Sequence, residues 1–144
     1  DLVLARYRER SEALPGALSV VTALRLSGQR LAVASSSIRP WVEACLDKIG
    51  LGSAFEVLIT GSEIENGKPD PEIYLLAAER LGVDPKAYLA FEDAPAGIES
   101  ARAAGMTVWA VRTEYTRGLA LPGPDREFES LADVDITDIL GVAA

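Results

Sequence analysis

The fold turns on one stretch: Leu89-Ala90-Phe91-Glu92-Asp93-Ala94-Pro95-Ala96-Gly97-Ile98-Glu99-Ser100-Ala101-Arg102-Ala103-Ala104-Gly105. An apolar run stops at two adjacent carboxylates, and a small-residue helical pattern follows and closes on Gly105. Such a run reads as a buried strand that delivers two acids to its C-terminal end, where open α/β sheets place their ligands. Side-by-side carboxylates repel, so a bound cation or a shared proton gives them a reason to stand together. The plainer reading is a solvated loop in which Asp93 caps the next helix. The chain on either side bears on that choice.

Upstream and downstream the same rhythm repeats: helix, glycine, short apolar run, loop. Residues 17–26 carry apolar side chains at helical spacing (Leu18, Val21, Leu24), with Gly28 as the stop. Residues 31–34 read as a strand opening onto Ser35-Ser36-Ser37, and residues 40–49 as a helix ended by Gly50. A second strand at 56–60 leads into a polar loop, 61–69, and Asp70-Pro71-Glu72 then starts a helix that runs to Leu81. Asp as N-cap, Pro at the first helical position and an acid in the first turn are all favourable there. Residues 88–91 and 107–111 are the third and fourth strands, with a helix over 95–104 between them. After Pro122-Gly123-Pro124 the chain reads as an acidic loop, with a short helix near 136–140 lying over the sheet edge. Continuous apolar strands alternating with capped helices predict an α/β fold with a doubly wound parallel sheet, covered on both faces.

Composition narrows the chemistry. The 144 residues are 49% hydrophobic and 25% charged, ordinary for one globular domain. No apolar run approaches the roughly 20 residues that span a bilayer, and no signal peptide is visible, so no membrane partner is expected. The lone Cys45 cannot form an internal disulfide and suits a reducing, cytoplasmic setting; its helical context reads as a buried structural thiol. The absence of histidine removes imidazole-based triads, general bases and zinc sites. A net charge of −8 argues against nucleic acid and requires local donors to hold any anionic substrate.

Three features follow three successive strands, and parallel strands put such features on one edge. Ser35, with Ser36 and Ser37 behind it, combines a hydroxyl with the amides of a turn entering a helix, which is how phosphate is cradled. The alternative is simple helix capping. Lys68 stands between Gly67 and Pro69, placed to hold an ammonium over an anion, or else merely solvated. Glu92 and Asp93 complete the set. A hydroxyl donor, a fixed cation and a carboxylate pair together describe a metal-assisted phosphate site. Arg39, just past Ser37, could face the substrate or be a surface residue at a helix start.

In these motifs the chain resembles the haloacid-dehalogenase-like phosphatase superfamily, and within it the β-phosphoglucomutase-like and phosphoglycolate-phosphatase-like branch. The likeness covers residues 14–111, with Val33-Ala34-Ser35-Ser36-Ser37, Gly67-Lys68-Pro69-Asp70-Pro71-Glu72-Ile73-Tyr74 and Phe91-Glu92-Asp93-Ala94-Pro95-Ala96-Gly97-Ile98 in the family's order. The resemblance implies a Rossmann-like core and a role for each motif. Ser35 would bond the transferring phosphoryl group, Lys68 would neutralise it and the attacking carboxylate, and Ser36 would add to the phosphate cradle. Asp93 would ligate Mg²⁺, with Glu92 as a ligand or a partner through water. The implied substrate is a small phosphorylated metabolite, such as a sugar phosphate or phosphoglycolate, and the implied reaction passes through an aspartyl-phosphate.

The family's first motif, an Asp-x-Asp that ends the central strand, does not precede these three. Asp1-Leu2-Val3 has valine at the third position and no apolar strand before it. Residues 1–14 therefore read as a remnant of a helical cap, and 15–144 as the C-terminal portion of the core, lacking its central nucleophile strand. Such a chain is expected to be inactive alone and to carry a break in its sheet between the strands at 31–34 and 88–91. A sugar phosphomutase shares every motif seen, and a nucleophile-free module that binds phosphate or a partner protein is a third possibility.

Overall fold

A computed structural model describes residues 15–142 of the chain, so the cap reading of residues 1–14 lies outside the described residues. In chain order the elements are α1 (Ala17–Leu26), β1 (Ala32–Ala34), α2 (Arg39–Lys48), β2 (Val57–Ile59), α3 (Glu72–Leu81), β3 (Leu89–Glu92), α4 (Pro95–Ala103), β4 (Thr107–Val111), β5 (Arg126–Phe128) and α5 (Ile136–Val142). Every strand pairing is parallel: β1 with β2, β3 with β4, and β4 with β5.

Parallel strands bury both faces, and the side chains divide accordingly. Along β4, Val108 and Ala110 join Ile73 and Tyr74 of α3 and Ile98 of α4 in one core. Trp109 points the other way, onto Leu24 of α1 and Ile139 of α5, and Val111 packs with Ala17 and Leu131. On β1, Ala34 belongs to the α3 side, while Val33 packs with Val21, Val42, Cys45 and Leu46 under α1 and α2. Helices thus cover both faces, as the doubly wound pattern requires. Each buried Val, Leu or Ile contributes about 1.5–3 kcal/mol to this arrangement.

Three differences from the expected elements stand out. The segment after Pro124 is not all loop: β5 extends the sheet, although Arg126 and Glu127 are exposed on it. The apolar patterning that marks a buried strand is lacking there, and the Arg126 guanidinium instead lies 4.8 Å from the ring centres of both Trp109 and Phe128. The terminal helix packs through Ile139 against α1 and Trp109, over the sheet face rather than its edge. α3 begins at Glu72, with Pro71 at its N-cap, yet Asp70 Oδ1 still accepts the Glu72 N–H at 2.9 Å. Glu72 itself turns back to accept from Glu65 N, Asn66 N and Asn66 Nδ2, tying down the loop ahead of the helix.

The strands form two ladders, β1–β2 and β3–β4–β5, and among the described residues no strand pairing joins β1 to β3. The break lies where it was expected. Between the two ladders is an apolar cavity of about 410 Å³ whose walls include Val33, Ala34, Ala77, Leu81, Ala90 and Phe91. One end of the cleft is tied by Tyr88, whose hydroxyl donates to Arg30 O at 2.6 Å. The other end, at the carboxyl edge of the strands, is tied by Lys68.

Candidate functional site

Lys68 brings the three strand-end features together. Its Nζ donates to Ala34 O at 3.2 Å, at the end of β1 and immediately before Ser35. It also donates to Glu92 Oε1 at 2.6 Å, at the end of β3 and immediately before Asp93. A single ammonium therefore bridges the two strands that the cleft separates. The lysine side chain is only 6% exposed and Glu92 only 1%, so this is a buried ion pair rather than the solvated lysine of the plainer reading. The loop carrying it is anchored twice, by Glu72 from below and by Ser100 Oγ, which donates to Asp70 O at 2.6 Å. The Lys68–Pro69 peptide is cis.

Ser35 is fully buried at the end of β1. Its backbone N–H donates to Ile59 O at 2.9 Å, and its Oγ accepts from Ser37 N at 3.2 Å. The hydroxyl thus holds its own turn rather than capping α2, whose N-cap is Ile38. Ser36 lies exposed at the tip of the turn, and Ser37 is partly buried, its carbonyl accepting from Gly61 N at 2.8 Å. Arg39 does not project over the site. Its guanidinium is held by Glu63, by Leu58 O at 2.7 Å and by Glu43 at 3.3 Å.

Glu92 and Asp93 are both buried, at 1% and 2% exposure. Glu92 Oε1 accepts from Lys68 and from the buried Tyr74 hydroxyl, and Oε2 faces Asp93 N at 3.3 Å. Burial pushes the Glu92 carboxyl up, while the charge and hydrogen bond of Lys68 and the Tyr74 hydroxyl pull it down. Burial and the neighbouring Glu92 charge push the Tyr74 phenol well above its ordinary range, so it remains a donor. The Lys68 ammonium also stands 5.1 Å from the centre of the Tyr74 ring. Gly97, in the first turn of α4, has a specific reason to lack a side chain: a Cβ there would overlap the Glu92 carboxylate.

Tyr74 and Gly97 are therefore parts of the site, and Glu63 part of what holds Arg39, that sequence reasoning did not identify as such. Tyr74 sits at an apolar helical position, and a phenol at such a place needs a buried partner; that was the available signal. Gly97 and Glu63 act on partners that only the fold brings close.

A divalent cation of the Mg²⁺ type fits the donor chemistry. Hard oxygen ligands are what it takes, and Mg²⁺ is commonly held by one or two carboxylates together with water and phosphate. Two buried carboxylates stand against one ammonium at this edge, and an arriving phosphate would add further negative charge. Glu92 accepts from Lys68 and Tyr74, and Asp93 is buried beside it. No cluster of three or more Asp, Glu, Cys or His forms among the described residues.

Comparison with known proteins agrees with this geometry. The family model described as haloacid dehalogenase-like hydrolase matches residues 2–105. The chain is 44% identical over 108 residues to protein CbbY of Rhodobacter capsulatus, covering 73% of this chain and 48% of that protein. It is 41% identical over 107 residues to hexitol phosphatase A of Escherichia coli K12, covering 74% and 49%. The crystal structure of CbbY from Rhodobacter sphaeroides in complex with phosphate superposes with a TM-score of 0.81 at 32% identity, over 85% of this chain and 56% of that one. The chain spans about half the length of these curated relatives. Three strand-end motifs joined by one buried lysine, in a matching doubly wound core, lead to one conclusion: the chain belongs to the haloacid dehalogenase-like hydrolases.

Proposed function

We propose that this chain forms the phosphate- and Mg²⁺-holding portion of a phosphatase that acts on a small phosphorylated metabolite, of the sugar-phosphate or phosphoglycolate class. The observation that carries the reading is the Lys68 bridge, which ties the carbonyl before Ser35 to the carboxylate before Asp93 at one strand edge. Relatives named as a hexitol phosphatase, and one whose structure contains phosphate, support the same class.

The chain's own residues have separable tasks in this scheme. Ser35 donates its hydroxyl proton to a phosphoryl oxygen while Ser37 N holds its Oγ in place. Lys68, fixed from two sides, offsets the phosphate charge without having to reorganise. Glu92 orients that ammonium, and Tyr74 and Gly97 hold Glu92. Asp93 would hold the Mg²⁺, assisted by Glu92 through water, and the cation would supply charge neutralisation at the phosphoryl group.

The nucleophilic aspartate that forms the aspartyl-phosphate belongs, in this proposal, to a strand placed in the cleft between β1 and β3, supplied by chain outside residues 15–142. The apolar cavity there and the open edges of both strands support that placement. On this reading residues 15–142 form the C-terminal portion of the core and have no turnover by themselves.

The test is orthophosphate release from a panel of hexose, hexitol and pentose phosphates and phosphoglycolate by the full natural protein, with and without Mg²⁺. Mg²⁺-dependent release that is lost in Asp93→Asn supports the reading. Transfer of phosphate between positions of a hexose phosphate, without release, would make the protein a mutase. Phosphate binding with no turnover in the full protein would make it a binding module.

A further inference from the structure

The loops after β1 and β2 are fastened together by a partly buried polar latch. Glu63 is its centre. Glu63 Oε2 accepts Thr60 N at 2.7 Å and the hydroxyl of the fully buried Thr60, and Glu63 Oε1 accepts the Arg39 guanidinium, with Nε at 2.7 Å. Arg39 reaches on to Leu58 O, inside β2, at 2.7 Å, and its own backbone N–H donates to Ser62 Oγ at 3.1 Å. Ser62 N closes the ring on Thr60 Oγ1 at 3.2 Å.

The latch has one product, the position of the serine turn. Gly61, between Thr60 and Ser62, donates its N–H to Ser37 O at 2.8 Å, and any Cβ on Gly61 would overlap Ser36 O. The start of α2, which carries Arg39, is continuous with Ser37 and Ile38. Two connections therefore run from Glu63 to the turn, one through Arg39 and α2, the other through Thr60 and Gly61. Arg39 Nε and Nη2 both donate to Glu63 Oε1 while Nη2 also reaches Leu58 O, a planar set of donors that defines orientation as well as proximity and that a lysine cannot reproduce. The ion pair is partly exposed, with side-chain exposures of 35% and 20%, so on general grounds alone it would count for little in stability. Its geometry, four hydrogen bonds converging on one carboxylate, is out of proportion to that role.

We propose that Arg39, Thr60, Glu63 and Gly61 are positioning residues for the phosphate cradle: they hold the Ser35–Ser37 turn at the place where its hydroxyl and amides meet the phosphoryl oxygens. None of them touches the phosphate. The inference rests on the phosphatase reading and adds to it a second supporting layer, made of residues that do not contact Glu92.

The experiment uses the full natural protein and compares Arg39→Lys, Thr60→Val, Thr60→Ser and Gly61→Ala. For each, kcat and KM, the inhibition constant of inorganic phosphate and the thermal midpoint are measured. Misplacing a binding group by a fraction of an ångström to an ångström costs about ten- to a hundredfold in rate. Arg39→Lys, Thr60→Val and Gly61→Ala are expected to lower kcat/KM by that order and to weaken phosphate inhibition in parallel. Thr60→Ser, which keeps the hydroxyl, is expected to remain within about threefold of the parent. A merely structural role would move the thermal midpoint and leave kcat/KM and the phosphate constant of the folded protein unchanged. That result for all three variants overturns the proposal. A parent protein that neither hydrolyses phosphomonoesters nor binds phosphate overturns the phosphatase reading itself, and the two failures are distinguished by the parent alone.

Discussion

Replacing Lys68 by Met tests whether the bridge at the strand ends is a genuine buried pair. The substitution keeps most of the aliphatic length and removes the charge, leaving Glu92, 1% exposed, with Tyr74 as its side-chain donor. Breaking a buried ion pair from one side costs about 3–5 kcal/mol, because the remaining charge stays desolvated without its counter-ion. A domain of this size has about 5–15 kcal/mol of stability in total, so the loss is a large fraction of it. Glu92→Gln alone leaves the ammonium buried beside a neutral amide and should also destabilise. The double variant removes both charges and is expected to recover much of the loss, giving a coupling energy well above 1 kcal/mol. Urea unfolding followed by tryptophan fluorescence suits the measurement, since Trp109 is buried in the core at 1% exposure. The buffer must lack phosphate and Mg²⁺, so that ligand binding adds nothing to the stability of the native state. If Lys68→Met lies within about 1 kcal/mol of the parent, or if the two single losses simply add, the pair is not the bridge described here.

The remaining predictions concern the groups around that pair. Gly97→Ala should destabilise by about 1–3 kcal/mol despite the better helix propensity of alanine, because its methyl displaces the Glu92 carboxylate; chemical denaturation measures it, and a stabilised variant would contradict the close approach. Tyr74→Phe removes a hydrogen bond to a charged acceptor and should cost about 1.5–3 kcal/mol, read as a fall of several degrees in thermal midpoint. Burial raises the Glu63 carboxyl, but the Thr60 hydroxyl, Arg39 and the Thr60 amide bring its value below the ordinary 4.5. A carboxyl lowered on folding stabilises above its unfolded value and loses that contribution as pH falls through the folded one. The stability gap between the parent and Glu63→Gln should therefore be full at neutral pH and close below about pH 4.5. A gap that is constant from pH 7 to pH 3 would refute the assignment.

Much of the molecule was legible in the residue order because its strands are buried on both faces. Runs such as Thr107-Val108-Trp109-Ala110-Val111 need no partner to be recognised, and the helices between them announce their ends through Gly28, Gly82 and Gly105, all at positive φ. The strand Arg126-Glu127-Phe128 was not legible, since two of its three side chains are exposed and its place depends on β4 and Trp109. The site shows the same division. Ser35, Lys68, Glu92 and Asp93 follow strands, and the parallel rule alone brings them to one edge. The groups that hold them do not follow strands: Tyr74 reaches Glu92 across 18 positions and Arg39 reaches Glu63 across 24. Such contacts are products of the fold, and neither composition nor local spacing encodes them. Ser36, in the same motif as Ser35, lies exposed in the turn after β1.

The most direct measurement is calorimetric titration of orthophosphate into the full natural protein with and without Mg²⁺, repeated on Lys68→Met and Asp93→Asn. A site built from the Lys68 bridge predicts phosphate binding strengthened by Mg²⁺ in the parent. It predicts binding that loses its Mg²⁺ dependence in Asp93→Asn and falls by about a hundredfold or more in Lys68→Met, the loss of one charge-assisted contact of roughly 3 kcal/mol. Equal affinity in all three proteins, or phosphate binding indifferent to Mg²⁺ in the parent, would contradict the assignment of this strand edge as the phosphate and metal site.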